Sequence, residues 1–272
     1  MKNLFKIILF LLISNIGFAQ SPWTREKGKA YIQIGLTSLN YSKAQINGKQ
    51  TELGANYSDI TTQLYSEYGI TKNLETQLII PFKSVNYKSD FINQSEKLTG
   101  LGNVTFGLKY NFFNSSWKIS GGIQYSLNSI TKNDTQTLST GFNASTILPY
   151  ISAGSSSGKW YYFGNFGYGY MNSEYSDFVK IGVEVGYNVI EKGYLIFVFD
   201  NRIIATKENA YIKDPNQWPS YSDRQSYSAV GLKLNYEFIK DKFGTNFAAI
   251  GAFALDNAPA APTLNFGVYA KL

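Results

Sequence analysis

The sequence contains no cysteine and no histidine, and past its first twenty residues it has no long hydrophobic run. Without cysteine there are no disulfides, so an exported chain of this size must be held by hydrogen bonding and packing alone. Without histidine it lacks the side chain that most often serves as acid or base in catalysis. No Gly-rich phosphate loop, metal-ligand cluster or nucleophile motif is present. The one apolar run, Ile7 to Ile16, is broken by Ser14 and Asn15 and falls well short of the ~18 residues of a membrane helix.

That run is instead the core of a targeting segment. Lys2 and Lys6 precede it, and Gly17-Phe18-Ala19 supplies a small-x-small cleavage pattern ahead of Gln20. A signal peptide over residues 1–19 and a mature domain over 20–272 are expected, with no cysteine after the cleavage site to carry a lipid. Setting aside the two signal lysines leaves 23 basic against 19 acidic residues, a net charge of +4. So small and evenly spread an excess gives no case for nucleic acid as a partner.

What the sequence has in quantity is Tyr (21), Phe (19) and Gly (24), a composition suited to strands and tight turns rather than helices. Period-two alternation recurs from Ala30 to the end. Val104, Phe106, Leu108, Tyr110 and Phe112 form one face of a segment whose other face is Asn103, Thr105, Gly107, Lys109 and Asn111. The same pattern returns over 179–189, 230–238 and 264–272. About twelve strands of membrane-spanning length are predicted, starting near Lys29, Asp59, Leu74, Gly102, Trp117, Asn143, Trp160, Phe178, Gly193, Gln225, Phe243 and Pro262.

Their connections alternate in length. Short turns are expected at 71–73, 114–116, 156–158, 191–192 and 240–242. Longer polar links are expected at 42–57, 86–101, 130–142, 172–177, 206–224 and 256–261. Short periplasmic turns and longer extracellular loops on an even number of strands describe an antiparallel transmembrane β-barrel of the bacterial cell outer membrane. A soluble sandwich would have no reason to sort its loops in this way.

Alternation alone does not say which face is buried. The polar face carries charge in mid-strand, interleaved with glycine, which suits a lumen and leaves the apolar face for lipid. Aromatic residues at strand ends (Tyr68, Phe82, Phe112, Trp117, Tyr187, Tyr236, Phe238 and Phe243) suit the membrane–water girdles. The lumen and transport path are therefore assigned to Gln63, Glu67, Glu75, Lys109, Lys118, Gln124, Lys180, Glu184, Asp200, Arg202, Lys233 and Glu237. Pro81 and Pro149 fall inside strands, where each removes a ladder donor and marks a bulge or kink. A wall opening that lets an apolar solute leave sideways is the sharper reading of the two prolines.

Two segments resemble a known family. Tyr68-Gly69-Ile70-Thr71-Lys72-Asn73-Leu74-Glu75 with Ile80-Pro81-Phe82, and Gly100-Leu101-Gly102-Asn103-Val104-Thr105-Phe106-Gly107-Leu108-Lys109-Tyr110, are similar to recurring stretches of the phenol-degradation MetA-like outer-membrane proteins. The likeness is specific over 68–110 and general in style elsewhere. It implies an outer-membrane barrel that passes hydrophobic or aromatic compounds. Members usually carry Asp where this chain has Asn103, which weakens any charge-based role at that position.

The expected function is thus a channel or transporter for small, hydrophobic or aromatic compounds. The alternative is a structural or adhesion barrel whose external loops bind a partner. Enzymatic outer-membrane barrels rely on a histidine, so no catalytic residue, metal or cofactor is assigned. The loop 206–224, with Tyr211, Trp218 and Tyr221 among charges, suits a lid over the mouth or a binding surface. The expected partners are outer-membrane lipid, the barrel-assembly machinery during insertion, and a small-molecule solute.

Overall fold

The structure is a computed structural model, described over residues 20–89, 93–133, 138–206, 218, 221–222 and 224–272. Residues 1–19, expected to be a signal peptide, and most of the loop 206–224, including Tyr211, lie outside the described residues. In chain order the strands are β1 (Ala30–Ile46), β2 (Lys49–Gly69), β3 (Leu74–Ser89), β4 (Gln94–Leu101), β5 (Thr105–Asn114), β6 (Trp117–Ser126) and β7 (Thr146–Ser157). They continue as β8 (Trp160–Met171), β9 (Phe178–Ile190), β10 (Gly193–Ile204), β11 (Ser226–Ile239), β12 (Phe243–Asp256), β13 (Ala258–Pro259) and β14 (Thr263–Lys271).

Each long strand pairs antiparallel with its neighbours, and β1 closes the sheet by pairing with both β2 and β14. Twelve strand positions result, because β4 and β5 are two parts of one broken strand along β3 and β13 is a two-residue patch on β1. Closure leaves no open edge, so the backbone groups of the wall find partners within the barrel. Outward positions expose large apolar side chains such as Ile34, Phe106, Leu108, Ile123, Ile151, Phe166 and Leu232. Inward positions bury polar and charged ones such as Glu75, Lys109, Asn111, Glu184 and Asp200. The pleat thus turns the apolar face to lipid. At the short-turn end, Trp117 meets Tyr162 with ring centroids 5.7 Å apart, Trp160 meets Tyr187 at 4.6 Å and Tyr236 meets Phe238 at 5.5 Å. Phe82 is the exception to the expected girdle: it faces outward in the middle of β3, opposite Leu101.

Two expected loops are strand. Residues 42–57 continue β1 and β2 as a hairpin closed by Asn47 (φ 49°) and Gly48 (φ 79°). Asn-Gly is the pair that a tight turn with two positive φ angles requires, and its twist matches that of the strands it joins. Likewise Phe82 to Ser89 pair with Gln94 to Leu101 across the top of β3 and β4. The β1–β4 side of the barrel therefore rises as paired strands where open loops were expected.

Both in-strand prolines sit at partings of the ladder. Pro81 pairs with Gln63 on β2; on its other side its carbonyl accepts from the Gly102 amide at 2.8 Å, and Ile80 and Pro81 stand opposite three residues, Gly102 to Val104, outside the regular register. Pro149 pairs with Ile123 on β6, while Leu148 and Pro149 have no partners on β8 although the register is the same above and below. The first site is thus a bulge carried by the neighbouring strand. The second is a local parting without an added residue.

Candidate functional site

The lumen is not an open bore. Residues Gln20 to Lys29, ahead of β1, form a strap that enters it and is fastened to the β2–β6 wall. The Pro22 carbonyl accepts from Ser120 Oγ at 2.5 Å and from Asn111 Nδ2 at 3.1 Å. The Trp23 carbonyl accepts from Lys109 Nζ at 2.7 Å, and Gln20 Nε2 donates to Gln124 Oε1 at 3.2 Å. Arg25 makes the central contact: its backbone N–H donates to Glu75 at 2.7 Å and its Nε to Glu67 at 2.6 Å. Where the strap leaves the lumen it pairs with Gly69, whose amide donates to the Lys29 carbonyl at 2.9 Å. A Cβ on Gly69 would stand 2.1 Å from the Glu26 carbonyl oxygen, so only glycine admits the strap here.

The wall receives the strap with a polar network. Glu75 and Lys109 are direct cross-strand partners, fully buried, with Nζ 2.9 Å from Oε1. Gln77 donates to Glu75 at 3.1 Å, Gln124 to Gln77 at 3.2 Å, and the Tyr65 hydroxyl to Glu67 at 2.5 Å. Buried charges persist only when paired and bonded in this way. Opposite the strap, a polar cavity of about 580 Å³ is left, lined by Tyr31, Tyr161, Glu184, Lys233, Asn235 and Lys271 among others. There Lys233 meets Glu184 at 2.8 Å, and Lys271 pairs with Glu237.

Toward the long-loop end lies a second cavity of about 330 Å³. Its wall is largely apolar, with Leu39, Val85, Ala229, Ile250 and Ala252 on four strands and Phe142 from the β6–β7 connection. Val198 on β10 and Ala248 on β12 lie between the levels of the two cavities, and both are buried. Above the second cavity an apolar cluster of Tyr41, Ile46, Leu53, Tyr57, Leu138 and Trp218 fills the mouth. Trp218 is fully buried, and Tyr221 donates to Asp59 at 2.7 Å. Burial and the Asp59 carboxylate push the Tyr221 phenol well up, so it stays a proton donor. These described residues of the long loop therefore turn into the mouth, as a lid does.

The assigned lumen residues divide between these regions. Glu67, Glu75, Lys109 and Gln124 meet the strap, with Gln63 on the same inward face of β2. Glu184, Lys233 and Glu237 line the polar cavity, and Asp200 and Arg202 line the apolar one. Lys180 pairs with Asp200 beside it, and among the described residues Asp200 makes no ion pair with Arg202, on which it acts only through space. Lys118 stands apart at the short-turn rim, where it donates to the Ser115 carbonyl at 2.5 Å.

Asn103, which the alternation placed simply on a polar face, fills the gap left by the broken strand. Its Nδ2 donates to the carbonyls of Phe142 (2.8 Å) and Leu127 (3.0 Å), and its Oδ1 accepts from the Phe142 amide at 2.9 Å. An amide can both donate and accept; a carboxylate at this position could not make the donor contacts. The described residues 127–133 and 138–145 are thereby held inward, behind the upper wall.

Comparison with known proteins agrees with this architecture. The family described as "Putative MetA-pathway of phenol degradation" matches residues 26–270. The chain belongs to this family. Its fold is similar to that of the COG4313 outer membrane channel from Pseudomonas putida F1, with a TM-score of 0.71, 14% identity, and 95% of this chain and 100% of that one covered. The KdgM porin follows with a TM-score of 0.51, 7% identity and coverage of 88% and 98%. The translocator domain of the autotransporter NalP from Neisseria meningitidis has a TM-score of 0.52, 10% identity and coverage of 91% and 88%. No curated protein matches the chain. The protein is an outer-membrane barrel with a channel-type fold.

Proposed function

We propose that the protein passes small hydrophobic or aromatic compounds across the outer membrane, and that they leave the upper cavity sideways through the parted wall. The observation that carries this reading is the apolar cavity beside a broken strand, above a polar floor closed by the strap. An apolar solute gains by entering the first and would lose by crossing the second, where every charge is already paired. Phe142 links the two features, since it lines the cavity while its backbone is held by Asn103 in the wall gap. The resemblance to the COG4313 channel supports a passage without specifying the solute.

The test is uptake by intact cells that depend on this protein, comparing a one-ring aromatic solute with a sugar of similar size. Uptake of the aromatic alone is expected. It should survive a disulfide tying the strap to the wall, for example Pro22→Cys with Ser120→Cys. Equal uptake of the sugar, or loss of aromatic uptake when the strap is tied, would contradict the proposal.

A further inference from the structure

We infer that the upper cavity is a binding site for a monoanionic apolar compound, a carboxylate on one aromatic ring or a short alkyl chain, held by Arg202. The inference rests on the transport reading above and narrows its substrate class; such a compound would bind as the anion and leave sideways only as its neutral acid. Two of the charge pairs at this cavity are self-contained. Lys83 lies 2.9 Å from Asp59, which also accepts from Tyr221 and Thr61. Lys180 pairs with Asp200, which also accepts from Tyr227 at 3.1 Å. Arg202 is the charge left over. It is only 9% exposed, yet among the described residues no carboxylate lies within ion-pair distance of it.

Its guanidinium donates from Nε to the Gln225 carbonyl at 3.1 Å and from Nη2 to the Met171 sulfur at 3.1 Å, both uncharged acceptors. The group is clasped between two rings, with Cζ 3.7 Å from the centre of Phe178 and 4.8 Å from that of Phe142. This clasp fixes the plane of the fork and, among the described residues, leaves it without a carboxylate in ion-pair contact, although Asp200 acts on it through space. A buried cation needs a counter-ion, and a planar fork favours a carboxylate. Across from it, Leu39, Val85, Ala229, Ile250, Ala252 and Ala261 offer small apolar surfaces for the body of the same molecule. A volume of about 330 Å³ falls at the lower end of small-molecule sites, which span ~300–1,000 Å³.

The test is calorimetric titration of the folded, detergent-solubilised protein with benzoate, benzyl alcohol and acetate. Benzoate is expected to bind more tightly than both of the others, since it alone offers charge and ring together. Arg202→Met should weaken benzoate by on the order of tenfold and leave benzyl alcohol unchanged. If that variant fails to fold, as judged by heat-modifiable gel mobility, Arg202→Lys keeps the charge without the fork and should lose part of the preference for benzoate. Benzoate binding no tighter than benzyl alcohol, or unaltered in the folded variant, overturns the inference. Cellular uptake remains a separate readout: uptake of a neutral ring without benzoate binding removes this site but leaves the passage. Arg202-dependent binding without any uptake removes the passage but leaves the site.

Discussion

The two halves of the lumen are built from the same alternating strands, yet they solve opposite problems. On the short-turn side, charges are buried around a strap that satisfies them: Arg25 meets Glu67 and Glu75, and Lys109 meets both Glu75 and the Trp23 carbonyl. On the long-loop side the inward positions turn apolar, with Ala229, Ile250 and Ala252, and Arg202 makes no ion pair with an acidic residue among the described residues. Inward-facing polarity therefore marks two different things in one barrel. Where the network is closed it seals, and where it is left open it offers a place for a ligand.

The sharpest way to break this contrast is to unbalance the sealed half. Lys109→Met leaves Glu75 buried without its cation and is expected to cost about 3–5 kcal/mol, read as a lower urea midpoint in detergent. The double change Lys109→Met with Glu75→Gln should recover much of that loss. Equal destabilisation in the single and double variants would show that the pair is not what is lost. A smaller effect is expected at the wall gap. Asn103→Asp replaces the amide's contacts with three carbonyls, those of Leu127, Phe142 and Ala144, by carboxylate–carbonyl repulsion and should cost about 1–3 kcal/mol. The amides of 138–145 would then exchange faster than those of the β9–β10 pair. Uniform exchange across both regions would argue against Asn103 as the local fastener. The smallest effect belongs to the raised hairpin: Gly48→Ala, at φ 79°, should cost about 1–2 kcal/mol and leave the lumen untouched. A change in conductance from that variant would mean that the hairpin and the lumen are coupled.

Much of the barrel was legible because lipid imposes a simple rule on sequence. Strand starts at Leu74, Trp117, Trp160, Phe178, Gly193 and Phe243 coincide with the structure because alternation and turn residues change together there. The raised hairpin was hidden by its polarity. Outside the membrane a strand need not alternate, and only Asn47-Gly48 signalled the turn. Parity likewise identified the inward charges, since a period of two puts Glu67, Glu75, Lys109, Glu184 and Lys233 on one face. Their partners were not legible. Arg25 lies in a ten-residue segment with no periodicity, and nothing local tells such a segment that it will fold back into the lumen. Asn103 was missed for a related reason, because its bonds reach 24 to 41 residues along the chain.

The central claim is that the strap closes the polar half of the barrel, and single-channel conductance in planar bilayers tests it most directly. The protein produced from Gln20 onward should show small or rare steps. A variant lacking residues 20–28 should show frequent steps several-fold larger, and Arg25→Ala should fall between them with a shift toward cations as Glu67 loses its partner. Identical conductance and selectivity in all three would contradict the account, because the strap would then fill space without closing the passage.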